Sequence, residues 1–364
     1  MKKKILVFYH GNTYGGIDTF LKGLLPALAD NFKLVVVSIH DSTDMMALLD
    51  KDKVVFYKVP LNKWFLGFGL FHLASLIVKE KINIILSMEL VISGLVRPIK
   101  IFFPRVKHVT SVCCDGREFN KDSQSLLNFF FTTLNKLTFF LVDKYICISR
   151  FLADSYLIEE GIPRTRIEVI YLGVDHNASN NVSMVDRPFS PFRVGYIGRR
   201  SHEKGFDIYL EVAKRFVDQQ DNFQFNYAGV GEFFEKQAQE LCKAFPGFFV
   251  DRGYFADVSK FYEQMDCIII PSRSEGFCYI VLEAYKYDNL VVSSDAGALP
   301  ELVQDGENGL ICRSENVDDF VKALALLQKE AGLRKRLIDN SKSALQRFSL
   351  NKMQENYVAF FKGV

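Results

Sequence analysis

Short apolar runs alternate with longer amphipathic ones along nearly the whole chain, and this alternation limits the fold more than any other feature. Lys4–Tyr9, Leu34–Ile39, Val54–Lys58, Ile82–Ser87, Val106–Cys113, Lys144–Ile148 and Ile167–Ile170 read as strands. Thr19–Ala29, Leu126–Leu141 and Arg150–Glu160 read as helices, the last capped by Ser149 and stopped at Gly161-Ile162-Pro163. A second series has strands at Phe192–Ile197, Phe223–Ala228, Phe248–Asp251, Cys267–Ile270 and Leu290–Ser293. Its helices are expected at Phe206–Val217, Glu232–Ala244, Val258–Gln264, Tyr279–Lys286, Val317–Glu330 and Ala331–Arg347, with Asn351–Lys362 last. Successive parallel strands need a crossover of a dozen or more residues, usually a helix, so this order specifies an α/β layered fold. The polar stretch from about Asn177 to Pro191, ending Pro188-Phe189-Ser190-Pro191, reads as a linker. The expectation is two Rossmann-like βαβ domains, at 1–176 and 192–347, joined by residues 177–191.

Composition permits this. The chain has 364 residues, and 49% of them are apolar, enough for two cores. A net charge of +2 gives no global field to attract nucleic acid, so none is expected as a partner. The seven cysteines have no C-x-x-C spacing and lie mostly in apolar runs, which reads as a reduced, cytoplasmic protein without structural zinc. Lys2-Lys3-Lys4 precedes Ile5–Tyr9, too short an apolar run for a signal peptide. Trp64–Val78 is too short to span a bilayer, and Leu126–Val142 is interrupted by Asn128, Asn135 and Lys136, so no transmembrane helix is expected.

Two segments carry chemistry. In Ser274-Glu275-Gly276-Phe277-Cys278-Tyr279-Ile280-Val281-Leu282-Glu283-Ala284, the first carboxylate lies in the loop after a strand and the second on the helix that follows. Loops beyond the carboxyl ends of strands are where open α/β sheets bind ligands. Carboxylates placed there suit a ligand rich in hydroxyls, because each accepts paired hydrogen bonds. Gly195-Tyr196-Ile197-Gly198-Arg199-Arg200-Ser201-His202-Glu203-Lys204-Gly205 runs strand, loop, helix. A helix N-terminus with Arg199 and Lys204 beside it suits phosphate, although a basic loop alone is equally well explained as solvated surface. It is not a Walker A loop, and the first βα turn lacks G-x-G-x-x-G, which argues against a dehydrogenase. Gly15-Gly16, after the first strand, allows backbone to approach a ligand or serves as an ordinary turn.

Glu275, seven residues and then Glu283, flanked by Pro271-Ser272 and set around Glu275-Gly276-Phe277 and Leu282-Glu283-Ala284, resemble the signature of the GT-B-fold retaining glycosyltransferases of family four. The Gly198-Arg199…Lys204-Gly205 loop resembles that family's diphosphate loop, and Asp295–Glu301 and Asp305-Gly306-Glu307-Asn308-Gly309 resemble two of its fold-marking loops. The resemblance implies two Rossmann-like domains facing across a cleft, with residues from about 348 to 364 crossing back to the first. It also implies a nucleotide-sugar donor, with UDP favoured by its frequency in the family, and retention of anomeric configuration. Arg199 and Lys204, with Gly198, would hold the diphosphate, Glu275 the sugar hydroxyls and Glu283 the ribose diol. Gly15, Gly16, Gly276, Phe277 and Cys278 would line the donor, with the base near Tyr254 and Phe255.

One departure stands out. Where family members carry a His near the reacting sugar, this chain reads Cys113-Cys114-Asp115-Gly116. Asp115 is the polar substitute at that place, and His10 an alternative. There is no Asp-x-Asp metal motif, so neither metal nor other cofactor is expected, with the two basic residues neutralising the leaving group. Aromatic and basic residues cluster at Lys63-Trp64-Phe65-Leu66, Arg97–Arg105 and Phe129-Phe130-Phe131. They read as contact with an anionic membrane at its cytoplasmic face or as core packing. The membrane reading goes with a lipid-linked or other glycan acceptor, as in lipopolysaccharide or another surface polysaccharide. Two further readings stay open on the residues alone, an epimerase-like enzyme acting on sugar nucleotides and a non-catalytic glycan-binding subunit.

Overall fold

The computed structural model describes residues 2–10, 16–40, 49, 53–59, 66–114, 133, 137–158, 160–175, 190–219, 222–255 and 257–364. The chain divides into two units, Met1–Gly173 with Leu350–Val364, and Val174–Ser349.

The first unit is built on a seven-stranded sheet. Its strands are β1 (Lys4–Tyr9), β2 (Lys33–Ser38), β3 (Val54–Lys58), β4 (Ile84–Met88), β5 (Lys107–Val112), β6 (Lys144–Cys147) and β7 (Ile167–Val169), in the order β3-β2-β1-β4-β5-β6-β7. Every pairing is parallel. Central strands such as Ile5-Leu6-Val7-Phe8 and Ile84-Ile85-Leu86 are apolar on both faces because helices cover both faces. On one face, Leu73, Leu76 and Ile77 of the helix Leu66–Glu80 pack with Ile92, Val96 and Ile99 over Leu6, Phe8, Val35 and Val37. The helix Leu350–Gly363 packs on the helix Gly16–Asn31. There Phe20 meets Tyr357 at 5.5 Å, and Gln354 Nε2 donates to the Gly23 carbonyl at 2.7 Å. Lys3 Nζ reaches the carbonyls of Phe361 and Lys362 at 3.3 and 2.9 Å. Each aromatic buried there is worth roughly 1.5–3 kcal/mol.

A polar network lies inside this unit. His108 Nε2 meets Ser87 Oγ at 2.9 Å, Ser87 and Ser93 meet Thr110, and Arg97 Nε donates to Ser93 Oγ at 3.1 Å. Arg97 is only 1% exposed, so it does not belong to the basic surface read from residues 97–105. Burial, with Arg97 adding to it, pushes the His108 imidazole down to about 3, so the ring is neutral.

The second unit has a six-stranded parallel sheet of β8 (Phe192–Ile197), β9 (Phe223–Ala228), β10 (Phe249–Asp251), β11 (Cys267–Ile270), β12 (Leu290–Ser294) and β13 (Leu310–Cys312), ordered β10-β9-β8-β11-β12-β13. Its core is aromatic: Phe192, Phe206, Tyr209, Phe216, Phe223, Phe225 and Tyr227 interlock with ring separations of 4.2 to 6.3 Å. Asp266, at the start of β11, accepts three hydrogen bonds from Arg193 at the start of β8, one from its N–H and two from its guanidinium, at 2.8 to 3.0 Å. This fork fixes β8 against β11, the two strands whose loops build the site.

Several local expectations change. Arg150–Glu160 is not one α-helix. It begins as Arg150–Leu152, capped by Ser149 Oγ at 3.2 Å, and loosens into a π-helical turn over Ala153–Ile158. Most of Leu126–Leu141 lies outside the described residues; Thr133, Leu137 and Thr138 are helical as expected, and the end, Phe139–Leu141, tightens into a single 3-10 turn. The apolar stretch from Trp64 belongs largely to the helix Leu66–Glu80. The helices Leu90–Val96 and Ile99–Phe102 have too few residues for a readable period. Among the described residues, no helix is long and apolar enough to cross a membrane.

Candidate active site

In the second unit the strand order turns back between β8 and β11, so the loops leaving these two strands diverge. That divergence opens a crevice at their carboxyl ends. The first loop, Gly198–Gly205, is shaped from within. Tyr196 Oη donates to the Arg199 carbonyl at 2.7 Å, the Gly198 N–H to Ala228 at 3.1 Å, and the Lys204 N–H to Ser201 Oγ at 3.3 Å. The helix Phe206–Lys214 follows, with Gly205 before it at φ 67°. A side chain at Gly205 would put its Cβ 2.0 Å from the Pro271 carbonyl oxygen, so glycine is what lets the two loops touch.

Arg273 stitches the loops together. Its N–H donates to the Glu203 carbonyl at 2.8 Å and its Nη1 to the His202 carbonyl at 2.6 Å. Its guanidinium also grips the Asp207 carboxylate through two bonds of 2.8 Å and Glu315 at 2.7 Å. The Asp207 hydrogen bond comes first in holding this guanidinium above its ordinary pKa.

At the centre, Lys204 Nζ meets Glu275 Oε2 at 2.9 Å, and Ser272 Oγ donates to Glu275 Oε1 at 2.8 Å. Glu275 is 7% exposed. Burial would push the Lys204 ammonium down, but the charge of Glu275 leads a set of anionic neighbours that hold it above the ordinary lysine value. The Glu275 carbonyl accepts the Ala298 N–H at 2.9 Å. Beside it Gly297, at φ 59°, comes so close that a Cβ there would lie 2.2 Å from the Glu275 oxygen. The carboxylate is thus fixed at both its head and its backbone.

Arg199 shares the loop with Lys204 but not its partner. It is 65% exposed at the side chain and lies 3.5 Å from Glu203. It offers a solvent-facing guanidinium where Lys204 offers an enclosed ammonium. Glu283 sits on the helix Tyr279–Lys286, partly buried, and accepts a hydrogen bond from Tyr262 Oη at 2.7 Å. Burial pushes its carboxyl up, and the Tyr262 bond counters this. Phe277 is buried against Tyr279 and Phe348, at 6.2 and 5.9 Å, so it supports the loop from behind. Gly276 stays partly exposed, and Cys278 precedes the helix at φ 93°. Tyr254 is exposed, and Phe255 packs edge-on against Phe261 at 5.7 Å.

The structure therefore joins Lys204 to Glu275 directly and leaves Arg199 and Glu283 with other partners. Ser272, Arg273 and Tyr262 were not anticipated as parts of the site. Ser272 lies three residues before Glu275, a spacing that offered a signal. The 66-residue separation of Arg273 from Asp207 offered none. In the first unit Gly16 is exposed at the start of its helix and Cys114 follows β5, while Gly15 and Asp115 lie outside the described residues. Among the described residues, no group of three or more His, Cys, Asp or Glu is placed to hold a metal ion.

The family described as glycosyl transferases group 1 matches residues 186–344, and glycosyltransferase family 4 matches residues 14–178. Together the two matches span most of the chain, which is a glycosyltransferase. An uncharacterized glycosyltransferase of Methanocaldococcus jannaschii is 26% identical over 347 residues, covering 93% of this chain and 92% of that protein. The crystal structure of HepE from Anabaena in complex with UDP superposes with a TM-score of 0.81 at 17% identity, over the whole of both chains. The lipopolysaccharide outer core galactosyltransferase WaaB, in its apo form, gives a TM-score of 0.76 at 17% identity over 99% of each chain. At these identities the superpositions speak for the fold, which is GT-B. Within that fold, the group 1 region contains β8, β11, the Lys204–Glu275 pair and the Arg273 fork.

Proposed function

We propose that this glycosyltransferase moves a hexosyl group from a UDP-sugar to a hydroxyl of a lipid-linked or other glycan acceptor, with retention at the anomeric carbon and without a metal ion. The observation that carries the reading is the enclosed Lys204–Glu275 pair at the carboxyl ends of β8 and β11, with Arg199 exposed beside it. An anionic diphosphate entering this loop finds an exposed guanidinium, 3.5 Å from Glu203, that can fork onto its oxygens, and an ammonium behind it. That charge takes the place a metal would fill in stabilising the leaving group. Glu275, already positioned by Lys204 and Ser272, accepts hydrogen bonds from the sugar hydroxyls, and Glu283 takes the ribose diol. In the transfer, the bond from the anomeric carbon to the β-phosphate oxygen breaks and a bond to the acceptor oxygen forms on the same face. The acceptor's proton leaves on the released UDP. The choice of UDP draws on HepE, whose structures are described with UDP and with UDP-glucose.

The acceptor reading draws on the first unit. Ile101, Phe102, Leu137 and Phe140 are exposed, Phe102 by 79%, and Arg105, Lys107 and Arg166 lie nearby in sequence or contact. Apolar side chains among cations fit peripheral contact with the anionic cytoplasmic face of a membrane, where a lipid-linked precursor of lipopolysaccharide or another surface polysaccharide would be found. Two relatives or neighbours carry names from lipopolysaccharide core assembly. Incubating the full chain with UDP-glucose and measuring UDP release, with Glu275→Ala beside it, tests the reading. Release by the unaltered protein that falls at least 100-fold in the variant is expected. Equal release from both overturns it.

A further inference from the structure

The two carboxylates of the site are held in different ways. Glu275 has the Lys204 ammonium at 2.9 Å, whereas no lysine or arginine among the described residues forms an ion pair with Glu283. Lys286, on the same helix, acts on Glu283 through its charge alone, and its Nζ stands 5.8 Å from the centre of the Tyr287 ring. Among the described residues, Tyr262 Oη is the one hydrogen-bond donor to the Glu283 carboxylate, at 2.7 Å from Oε2. Oε1 receives none. Burial pushes this carboxyl up, and first the Tyr262 bond, then the charge of Lys286, pull it back.

Tyr262 is built to point one way. It ends the short helix Ser259–Tyr262 and is fully buried. Its ring lies parallel to that of Tyr287, 5.6 Å away and tilted by 2°, and edge-on to Phe261 at 6.3 Å. Its carbonyl accepts Asn289 Nδ2 at 2.9 Å, and its N–H donates to the Val258 carbonyl at 3.3 Å. Ring and backbone are both fixed, so Oη stays on Glu283. Burial pushes the phenol far above its ordinary range, so it remains a neutral hydroxyl and a donor. A neutral donor supports the ionised carboxylate without cancelling its charge, as an ammonium would. Oε1 and the second lone pair on Oε2 are left to accept from a ligand.

We propose that Tyr262 is a positioning residue for the donor, its hydroxyl aiming the Glu283 carboxylate so that it accepts from both ribose hydroxyls and selects a ribonucleotide over its 2′-deoxy counterpart. The assignment rests on the donor reading above, in which Glu283 takes the ribose diol, and adds the side chain that makes this contact selective. A protonated carboxyl would donate where it must accept, so donor affinity needs Glu283 ionised. Around it stand two neutral phenols, Tyr262 and Tyr287, and the Lys286 ammonium. Affinity is therefore complete above the pKa of Glu283 and is lost as pH falls through it. Removing Tyr262 Oη takes away the leading influence that lowers this pKa, so the loss then begins at a higher pH.

The test measures binding of UDP-glucose and of its 2′-deoxyuridine counterpart to the full chain by calorimetry, from acid to neutral pH. Tyr262→Phe keeps the ring stack and removes only Oη. The unaltered protein is expected to prefer UDP-glucose by about tenfold. Tyr262→Phe should bind UDP-glucose about tenfold more weakly and the 2′-deoxy donor within about twofold, so the preference disappears. The fall in UDP-glucose affinity should also move to higher pH. In a Glu283→Gln background that fall should be absent, and Tyr262→Phe should change nothing further, because it acts through Glu283. Equal weakening of both donors in Tyr262→Phe, an unchanged preference, or a further effect in the Glu283→Gln background overturns the assignment alone. An unaltered protein that binds both donors equally overturns the ribose contact of Glu283, and this assignment with it. One that binds neither overturns the donor reading itself.

Discussion

Alanine at Gly297 should disable Glu275 without altering a single atom of its side chain. The new Cβ would stand 2.2 Å from the Glu275 carbonyl oxygen, 2.9 Å from its nitrogen and 3.0 Å from its carbonyl carbon. Real Cβ contacts do not fall below 3.0 Å, so the two segments must part by about 0.8 Å. The obstacle is backbone, and no rotamer relieves it. The hydrogen bond from the Ala298 N–H to that same oxygen, now 2.9 Å, would be strained or lost. Glu275 then leaves the positions in which Lys204 and Ser272 hold it at 2.9 and 2.8 Å. Misplacing a positioned group by about 1 Å can lower turnover about 100-fold. Stability should fall by roughly 2–3 kcal/mol, from the left-handed backbone and one weakened hydrogen bond. Gly306→Ala is the control. Its φ of 70° imposes the same backbone penalty, yet nothing lies within 4 Å of the added carbon. That variant should lose about 1–2 kcal/mol and keep its turnover. Thermal melting and UDP release from UDP-glucose measure both effects. Turnover in Gly297→Ala within threefold of Gly306→Ala would refute the reasoning.

Three further outcomes are expected. Arg193→Ala strands the fully buried Asp266 carboxylate and should destabilise the second unit by about 3–5 kcal/mol in urea unfolding, and a loss under about 1 kcal/mol would speak against the fork as its anchor. Arg273→Lys keeps the charge but not the fork onto Asp207, so the KM for UDP-glucose should rise about tenfold as the Gly198–Gly205 loop loosens, and an unchanged KM would reject Arg273 as its brace. His108 is neutral in the fold, whereas the unfolded chain takes up a proton near pH 6.5. Its contribution is therefore complete above 6.5 and is lost as pH falls from there towards about 3, with roughly 2 kcal/mol gone by pH 5. The same pH dependence in His108→Gln would show that another group is responsible.

Much of the architecture was legible because it depends on local pattern. The apolar runs that became β1, β8 and β11, and the helix Tyr279–Lys286, are where a period of two or 3.6 is clear in the residues. Lys204 and Glu275 were read as contacts to two parts of one ligand, and nothing in the pattern paired them with each other, since 71 residues separate them. What escaped was long-range or torsional. The grip of Arg273 on Asp207 and of Arg193 on Asp266 exists only once β8 and β11 are adjacent. The π-helical turn at Ala153–Ile158 leaves no trace in a hydrophobic period. The positive φ of Glu89, 70°, leaves no trace in the residues either, because a backbone angle is set by neighbours that the strand order brings in later.

The helix Leu350–Gly363, seated on Gly16–Asn31, carries a consequence for biosynthesis. It follows the whole of the second unit in chain order, yet it covers Phe20 and Phe32 of the first. A nascent chain therefore meets an unusual timetable. The sheet from β8 to β13 can mature on the ribosome with all its parts in hand, whereas the earlier-made unit waits with an uncovered apolar helix until the last segment emerges. A chaperone that shields apolar surface would find its longest-lived client site on Gly16–Asn31, at the end of the molecule made first.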